Sequence, residues 1–130
     1  MGDPMDYDGY IKTYNQGDDA ATAQQYYTRD ITITMPLGTL NGRDEVVGFL
    51  SRGHAGIPEE LKPRMVLQSE EHILAELDIV LRAERGVPDH FLTPLVAGQE
   101  VTVRFFASYD LRSDRIAAFR LAWWPPAPPT

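Results

Sequence analysis

Between residues 5 and 15 the apolar positions recur at helical spacing. Tyr7, Tyr10, Ile11 and Tyr14 stand at i, i+3, i+4 and i+7 and share one face. Gly17 ends this helix, and Asp18 or Asp19 caps a second that runs to about Tyr27. The pattern then changes to strict alternation over 31–35, with Ile31, Ile33 and Met35 on the buried side. Pro36 stops that strand and Leu37-Gly38 turns the chain. Asn41-Gly42 opens a third helix whose buried stripe is Val46, Phe49 and Leu50. A loop, GHAGIPEELKP, follows from Gly53.

From Pro63 onward the pattern is sheet. Residues 64–69 form one strand, Glu70-Glu71 a turn, and 72–84 a long second strand. The stretch 86–98, with Pro88 and Pro94, is a turn-rich connection. The last two strands are 100–111 and 115–124, joined at Arg112-Ser113-Asp114. The ending PPAPPT, residues 125–130, cannot donate to a ladder and reads as extended polyproline. No internal repeat or second composition appears, so the expectation is one domain over 1–130.

Composition narrows the class. The formal charge is −7 with only 12 Lys and Arg, and no basic cluster interleaves with aromatics. Nucleic acid and anionic membrane surfaces are therefore excluded as partners. The chain has no cysteine, which removes disulfides, thiol nucleophiles and thiolate metal sites. The first thirty residues hold no apolar signal region and no window approaches a membrane span, so a cytoplasmic protein is expected.

Four phrases in order carry a resemblance. They are Tyr-x4-Asn-x-Gly-Asp from Tyr10 to Asp18, Met35-Pro36-x-Gly, Asn41-Gly42-Arg43-Asp44, and Tyr109-Asp-Leu-Arg-Ser-Asp-Arg-Ile116. With the helix, helix, strand, helix and strand-meander order, the chain resembles the nuclear transport factor two-like superfamily. Its SnoaL-like cyclases and ketosteroid isomerase share a cone-shaped α+β fold. The resemblance implies three N-terminal helices packed against a strongly curved antiparallel or mixed sheet, and a homodimer through the convex face. It also implies that Tyr10 donates a hydrogen bond to a developing enolate oxygen. The isomerase's aspartate base corresponds here to Met35, and its second oxyanion donor to Ala107. The aspartate that the cyclases use near the end of the last strand corresponds to Trp124.

Alternation along the strands gives a separate reading. Val101, Val103, Phe105, Ala107, Tyr109 and Leu111 form one face, continued by Phe119, Leu121 and Trp123 on the last strand. The concave side becomes an apolar pocket with Tyr10, Tyr14 and Tyr109 as its main polar groups. The substrate-binding set is Tyr14, Met35, Phe49, Phe105, Tyr109, Phe119 and Trp123. Glu76 and Asp78 fall on the convex side, paired with Arg104 or Arg120 across strands. A single β-bulge in strand 72–84 would turn Glu76 inward as an acid or base of raised pKa, and both placements stay open. For Tyr10 and Tyr14, core packing competes with oxyanion donation.

The histidines divide similarly. His54, at the end of the third helix, either moves a proton at the pocket mouth or caps helix carbonyls. His72 is an exposed partner for the Glu-Glu turn, and His90 belongs to a connection that acts as ordinary loop or as a lid. No spacing suits a metal, and no cofactor motif is present. The expected function is a cofactor-free isomerase, dehydratase, cyclase or lyase acting on a hydrophobic or aromatic carbonyl or phenolic compound. Its candidate catalytic residues are Tyr10, His54 and Glu76. The alternative is a binding or dimerisation module on the same fold.

Overall fold

The computed structural model describes residues 5–124; the proline-rich ending lies outside them. Helices α1 (Tyr7–Asn15) and α2 (Asp19–Tyr26) come first, followed by strands β1 (Tyr27–Met35) and β2 (Gly38–Asn41). Helix α3 (Arg43–His54) precedes four long strands: β3 (Glu59–Gln68), β4 (His72–Arg82), β5 (Glu100–Arg112) and β6 (Arg115–Trp124). The three helices pack on one sheet of order β2-β1-β6-β5-β4-β3, the cone-shaped α+β architecture. Every pairing is antiparallel except β1 with β6, so the sheet is mixed.

Local chemistry sets the helix boundaries. Asp6 caps α1 by accepting from the Gly9 amide at 2.9 Å, and Asp18 caps α2 by accepting from the Ala21 amide at 2.9 Å. Gly17 takes a left-handed φ of 85° in the three-residue break between them. Because Asp18 fills the cap, Asp19 is left free to point inward, and it is buried.

Several strand boundaries differ from the sequence reading: β1 already begins at Tyr27, four residues before Ile31, and β4 ends at Arg82 instead of at Glu84. β2 was not anticipated: after the Pro36-Leu37 turn the chain doubles back, pairing Met35 with Gly38 and Thr32 with Asn41. β3 begins at Glu59, five residues before the position inferred from Pro63. Pro63 lies inside the strand because β3 is an edge, where a missing N–H costs no ladder bond, and the register shifts beside it between Pro63 and Met65.

The bulge that the alternation allowed for in strand 72–84 does not occur; the register shifts lie beside Pro63 on β3, between Tyr27 and Thr32 on β1, and where Asp110 and Leu111 of β5 meet β6. β4 pairs with β5 in unbroken register, so Glu76 faces outward. There Arg104 donates to Glu76 at 3.1 Å and to Asp78 at 2.6 Å, and Arg64 donates to Asp78 at 3.1 Å. Arg120 pairs instead with Asp110, at 2.7 Å. The pocket placement of Glu76 is thereby corrected. His72 likewise bonds Asp110, at 3.2 Å, rather than the Glu-Glu turn.

The opposite face of the sheet is the core. Val101, Val103, Phe105, Ala107 and Tyr109 on β5 are buried, as are Ile73, Ala75, Leu77 and Ile79 on β4. The α1 tyrosines pack onto this face. Tyr10 is 2% exposed and lies among five other tyrosine rings, with centroids 5.4–6.3 Å away. Its hydroxyl pairs with that of Tyr27 at 3.0 Å, and Tyr7 pairs with Tyr109 at the same distance. Burial drives the Tyr10 hydroxyl well above its ordinary pKa, helped by the neighbouring Tyr27 and Tyr109. Tyr10 is thus a core residue whose hydroxyl is already satisfied.

Replacing Tyr10 with Phe should lower unfolding stability by about 1–2 kcal/mol, since the Tyr27 hydroxyl stays buried without its partner. Urea denaturation of the variant measures this, and an unchanged midpoint would contradict it.

Candidate functional site

An apolar cavity of about 60 Å³ lies between the helices and the sheet. Of the candidate residues, Tyr14, Met35, Phe49, His54, Phe105, Tyr109 and Phe119 line it. Tyr10 and Glu76 do not, and Trp123 stands behind the wall, packed on Phe105 and Phe91 at 5.5 and 6.0 Å. Leu61, Leu77, Ile79, Phe91 and Leu92 are among the further apolar side chains of the lining. The polar end is built by Tyr14, His54 and Glu59.

Four elements converge on that end. α3 stops at His54, and the Ile57 amide donates to the His54 carbonyl at 2.9 Å. Gly56 takes φ of 72° and the fully buried Ile57 anchors the turn, so β3 starts with Glu59 beside the imidazole. Arg85 donates to the Ala55 carbonyl at 2.8 Å and holds the same turn from outside. Asn15 bonds the Leu61 amide and carbonyl at 2.8 and 3.0 Å, tying the end of α1 to β3. Tyr14 on α1 and Asp19 at the start of α2 close the group.

The hydrogen bonds form one connected set. The His54 Nδ1–H donates to the Asp19 carboxylate at 2.9 and 3.0 Å. Nε2 stands 2.9 Å from Glu59 Oε2 and 3.1 Å from the Tyr14 hydroxyl. Tyr14 donates to Glu59 Oε1 at 2.8 Å. The side chains are 14%, 9% and 6% exposed for His54, Asp19 and Glu59. Burial alone would push the His54 pKa down. The two carboxylates outweigh it and raise the pKa to about 10, so the ring is an imidazolium at neutral pH. Burial and the adjacent Glu59 hold the Tyr14 hydroxyl protonated, well above its ordinary range.

This arrangement supplies a buried carboxylate, two protonated donors and an apolar space against which they act. On the other side, Asp19, His54 and Glu59 border polar surface grooves along the α1–α2 turn. Among the described residues no group of three His, Asp or Glu side chains is arranged to hold a metal ion. His90 is buried, its Nδ1 accepting from the Leu92 amide at 3.2 Å and its ring stacked on Phe91 at 4.8 Å. Burial pushes its pKa down and keeps it neutral.

Glu59 and Asp19 were missed from sequence for identifiable reasons. Glu59 was assigned to a loop because Pro63 marked the strand start too late. Asp19 was indistinguishable from Asp18 as a cap. The one usable signal was a carboxylate pair flanking a helix-terminal histidine, and it has no periodic spacing.

The linkage sign for His54 follows from its raised pKa. Its contribution to stability is complete below the unfolded value of 6.5 and disappears as pH rises toward about 10. Thermal or urea midpoints should fall across that window in the parent protein, and the fall should be much shallower in His54→Gln. Parallel curves for the two proteins would count against the ion pair.

Comparison with known proteins extends this geometry. The family model described as SnoaL-like domain matches residues 7–119. Solved structures with the same fold include a proposed polyketide cyclase from Xanthomonas campestris pv. campestris, 22% identical with a TM-score of 0.73, covering 87% of this chain and 83% of that one. A proposed SnoaL-like polyketide cyclase from Shewanella denitrificans is 17% identical with a TM-score of 0.72, covering 89% and 85%. A protein of ketosteroid isomerase-like fold from Catenulispora acidiphila, in complex with trimethylamine, is 14% identical with a TM-score of 0.68, covering 86% and 79%. No curated protein matches the chain. Among the described residues no helix is long and apolar enough to cross a membrane. Because the family model spans most of the sequence, this chain belongs to the SnoaL-like domain family.

Proposed function

We propose that the protein is a cofactor-independent acid/base enzyme, an isomerase, dehydratase, cyclase or lyase acting on a small hydrophobic carbonyl or phenolic compound. One observation carries the reading: an imidazolium clamped between two carboxylates, with a tyrosine, closes the end of an otherwise apolar cavity. Glu59 takes the proton from the carbon beside the carbonyl. As Glu59 gains that proton, the His54 Nε2–H and the Tyr14 hydroxyl, which bond Glu59 in the resting site, turn to the oxygen on which charge develops. The proton returns from Glu59 to a different carbon in an isomerisation, or to a leaving hydroxyl in a dehydration. Asp19 keeps His54 oriented and charged from behind, the role a buried carboxylate plays toward a catalytic imidazole. Tyr14, one turn along α1, takes the place that the resemblance gave to Tyr10, and Glu59 replaces Glu76 as the working carboxylate.

A second reading rests on its own observation. Every polar atom of the cluster already has a protein partner, so it also suits a binding or dimerisation module without turnover. The outer face of the sheet favours self-association in either case. Met65, Leu67, Leu74 and Trp124 are 53%, 58%, 52% and 64% exposed, and Phe106 lies beside them. A homodimer through this face would cover them. A cysteine-free, acidic chain fits a cytoplasmic setting.

Two measurements check these readings. Hydrophobic ketones and phenols that raise the melting temperature are incubated with the enzyme in D₂O, and exchange of their α-protons is followed by NMR. Exchange should occur, and Glu59→Gln should slow it by about a hundredfold or more, with Tyr14→Phe slower as well. Ligands that bind without any exchange would leave the binding module as the better account. Gel filtration should give twice the monomer mass, and a monomer would end the dimer proposal.

A further inference from the structure

We infer that this cavity selects uncharged ligands and rejects carboxylates of the same shape, because its polar end carries more negative than positive charge in either protonation state of His54. The inference deepens the proposed function and rests on the cavity being the ligand site.

The charge balance is set by a few residues. Among the described residues no Lys or Arg lines the cavity. Among the described residues its only ionisable side chains besides the tyrosines are His54 and Glu59, with Asp19 directly behind the imidazole. With His54 protonated, two carboxylates against one imidazolium leave a single net negative charge; with His54 neutral, both negative charges remain. The groups packed around His54 come from α1 (Tyr14), α2 (Asp19), β3 (Glu59) and the 83–99 connection (His90), and none adds a positive charge in its resting form.

The arginines that could neutralise an anion are engaged elsewhere. Arg104 and Arg64 lie on the outer face with Glu76 and Asp78, and Arg120 lies there with Asp110. Arg85 is outside, on the Ala55 carbonyl. A carboxylate entering the cavity therefore loses its hydration and finds only like charge beyond the single imidazolium, which Glu59 and Asp19 already occupy. A ketone or phenol loses far less hydration. Its oxygen can accept from His54 or Tyr14, and a phenol can also donate to Glu59.

Size limits the ligand as well. A cavity of about 60 Å³ is smaller than the roughly 150 Å³ that holds benzene in an engineered protein interior. Compact molecules enter it as it stands. A ring needs the wall to move where Phe49 on α3 meets Phe91 on the connection, at 5.1 Å.

Two pairs of probes differ only by a methyl group against a carboxylate oxygen: butanone with propionate, and acetophenone with benzoate. Titration of each into the protein at pH 7.5, followed by NMR shifts of cavity residues, should show the ketone of a pair binding roughly a hundredfold more tightly than the acid. Asp19→Asn and Glu59→Gln each remove one negative charge. Either variant that stays folded should narrow the gap about tenfold. A carboxylate that binds as tightly as its ketone overturns the charge selection while leaving the cavity as the ligand site. If no probe in either pair perturbs cavity residues, the ligand site itself is wrong and the inference falls with it.

Discussion

The ion pair of His54 with Asp19 and Glu59 is the contact on which the interior depends. It joins the start of α2, the end of α3 and the start of β3, and Tyr14 adds α1 to the group. Removing one partner would leave buried charge uncompensated, which costs far more than the attraction within an intact pair contributes. A purely structural clasp needs no such charge, because apolar side chains would hold the same elements without desolvating three ionised groups. That the cluster sits against an apolar cavity instead of deep in the tyrosine core is the physical basis for reading it as chemical.

The rest of the helical layer divides the tyrosines between two tasks. Tyr7, Tyr10, Tyr27 and Tyr109 bond each other in pairs, which satisfies hydroxyls that burial would otherwise penalise. Tyr14 alone on α1 is paired with a carboxylate. A single helical turn thus separates a hydroxyl committed to packing from one held beside a proton acceptor. The outer face shows the complementary economy: its charges pair across β3, β4, β5 and β6, and its exposed apolar side chains gather beside them.

Much of this architecture was legible in the residues, and the failures have particular causes. Helical spacing assigned the α1 tyrosines to one face, but a face fixes direction and not depth, so the resemblance gave Tyr10 the oxyanion role and Tyr14 only a place in the lining, although Tyr10 lies in the core. Alternation placed the buried residues of β4 and β5 on their observed side. The bulge it allowed for in strand 72–84 is absent, and a separate one beside Pro63 at the sheet edge leaves Glu76 outward. The same proline concealed the first five residues of β3 and with them Glu59. Asp19 could be told from Asp18 only by which carboxylate the Ala21 amide selects. Site residues escaped because they are joined by tertiary contact across 35 and 5 positions of sequence, with no periodic pattern to mark them.

The most direct measurement of the central claim is the protonation state of the His54 ring at pH 7, read from its nitrogen and carbon shifts in an isotope-labelled NMR sample. A clasped imidazolium predicts both ring nitrogens protonated and no titration until well above pH 8. A neutral single tautomer at pH 7, titrating near its ordinary value, would contradict the account.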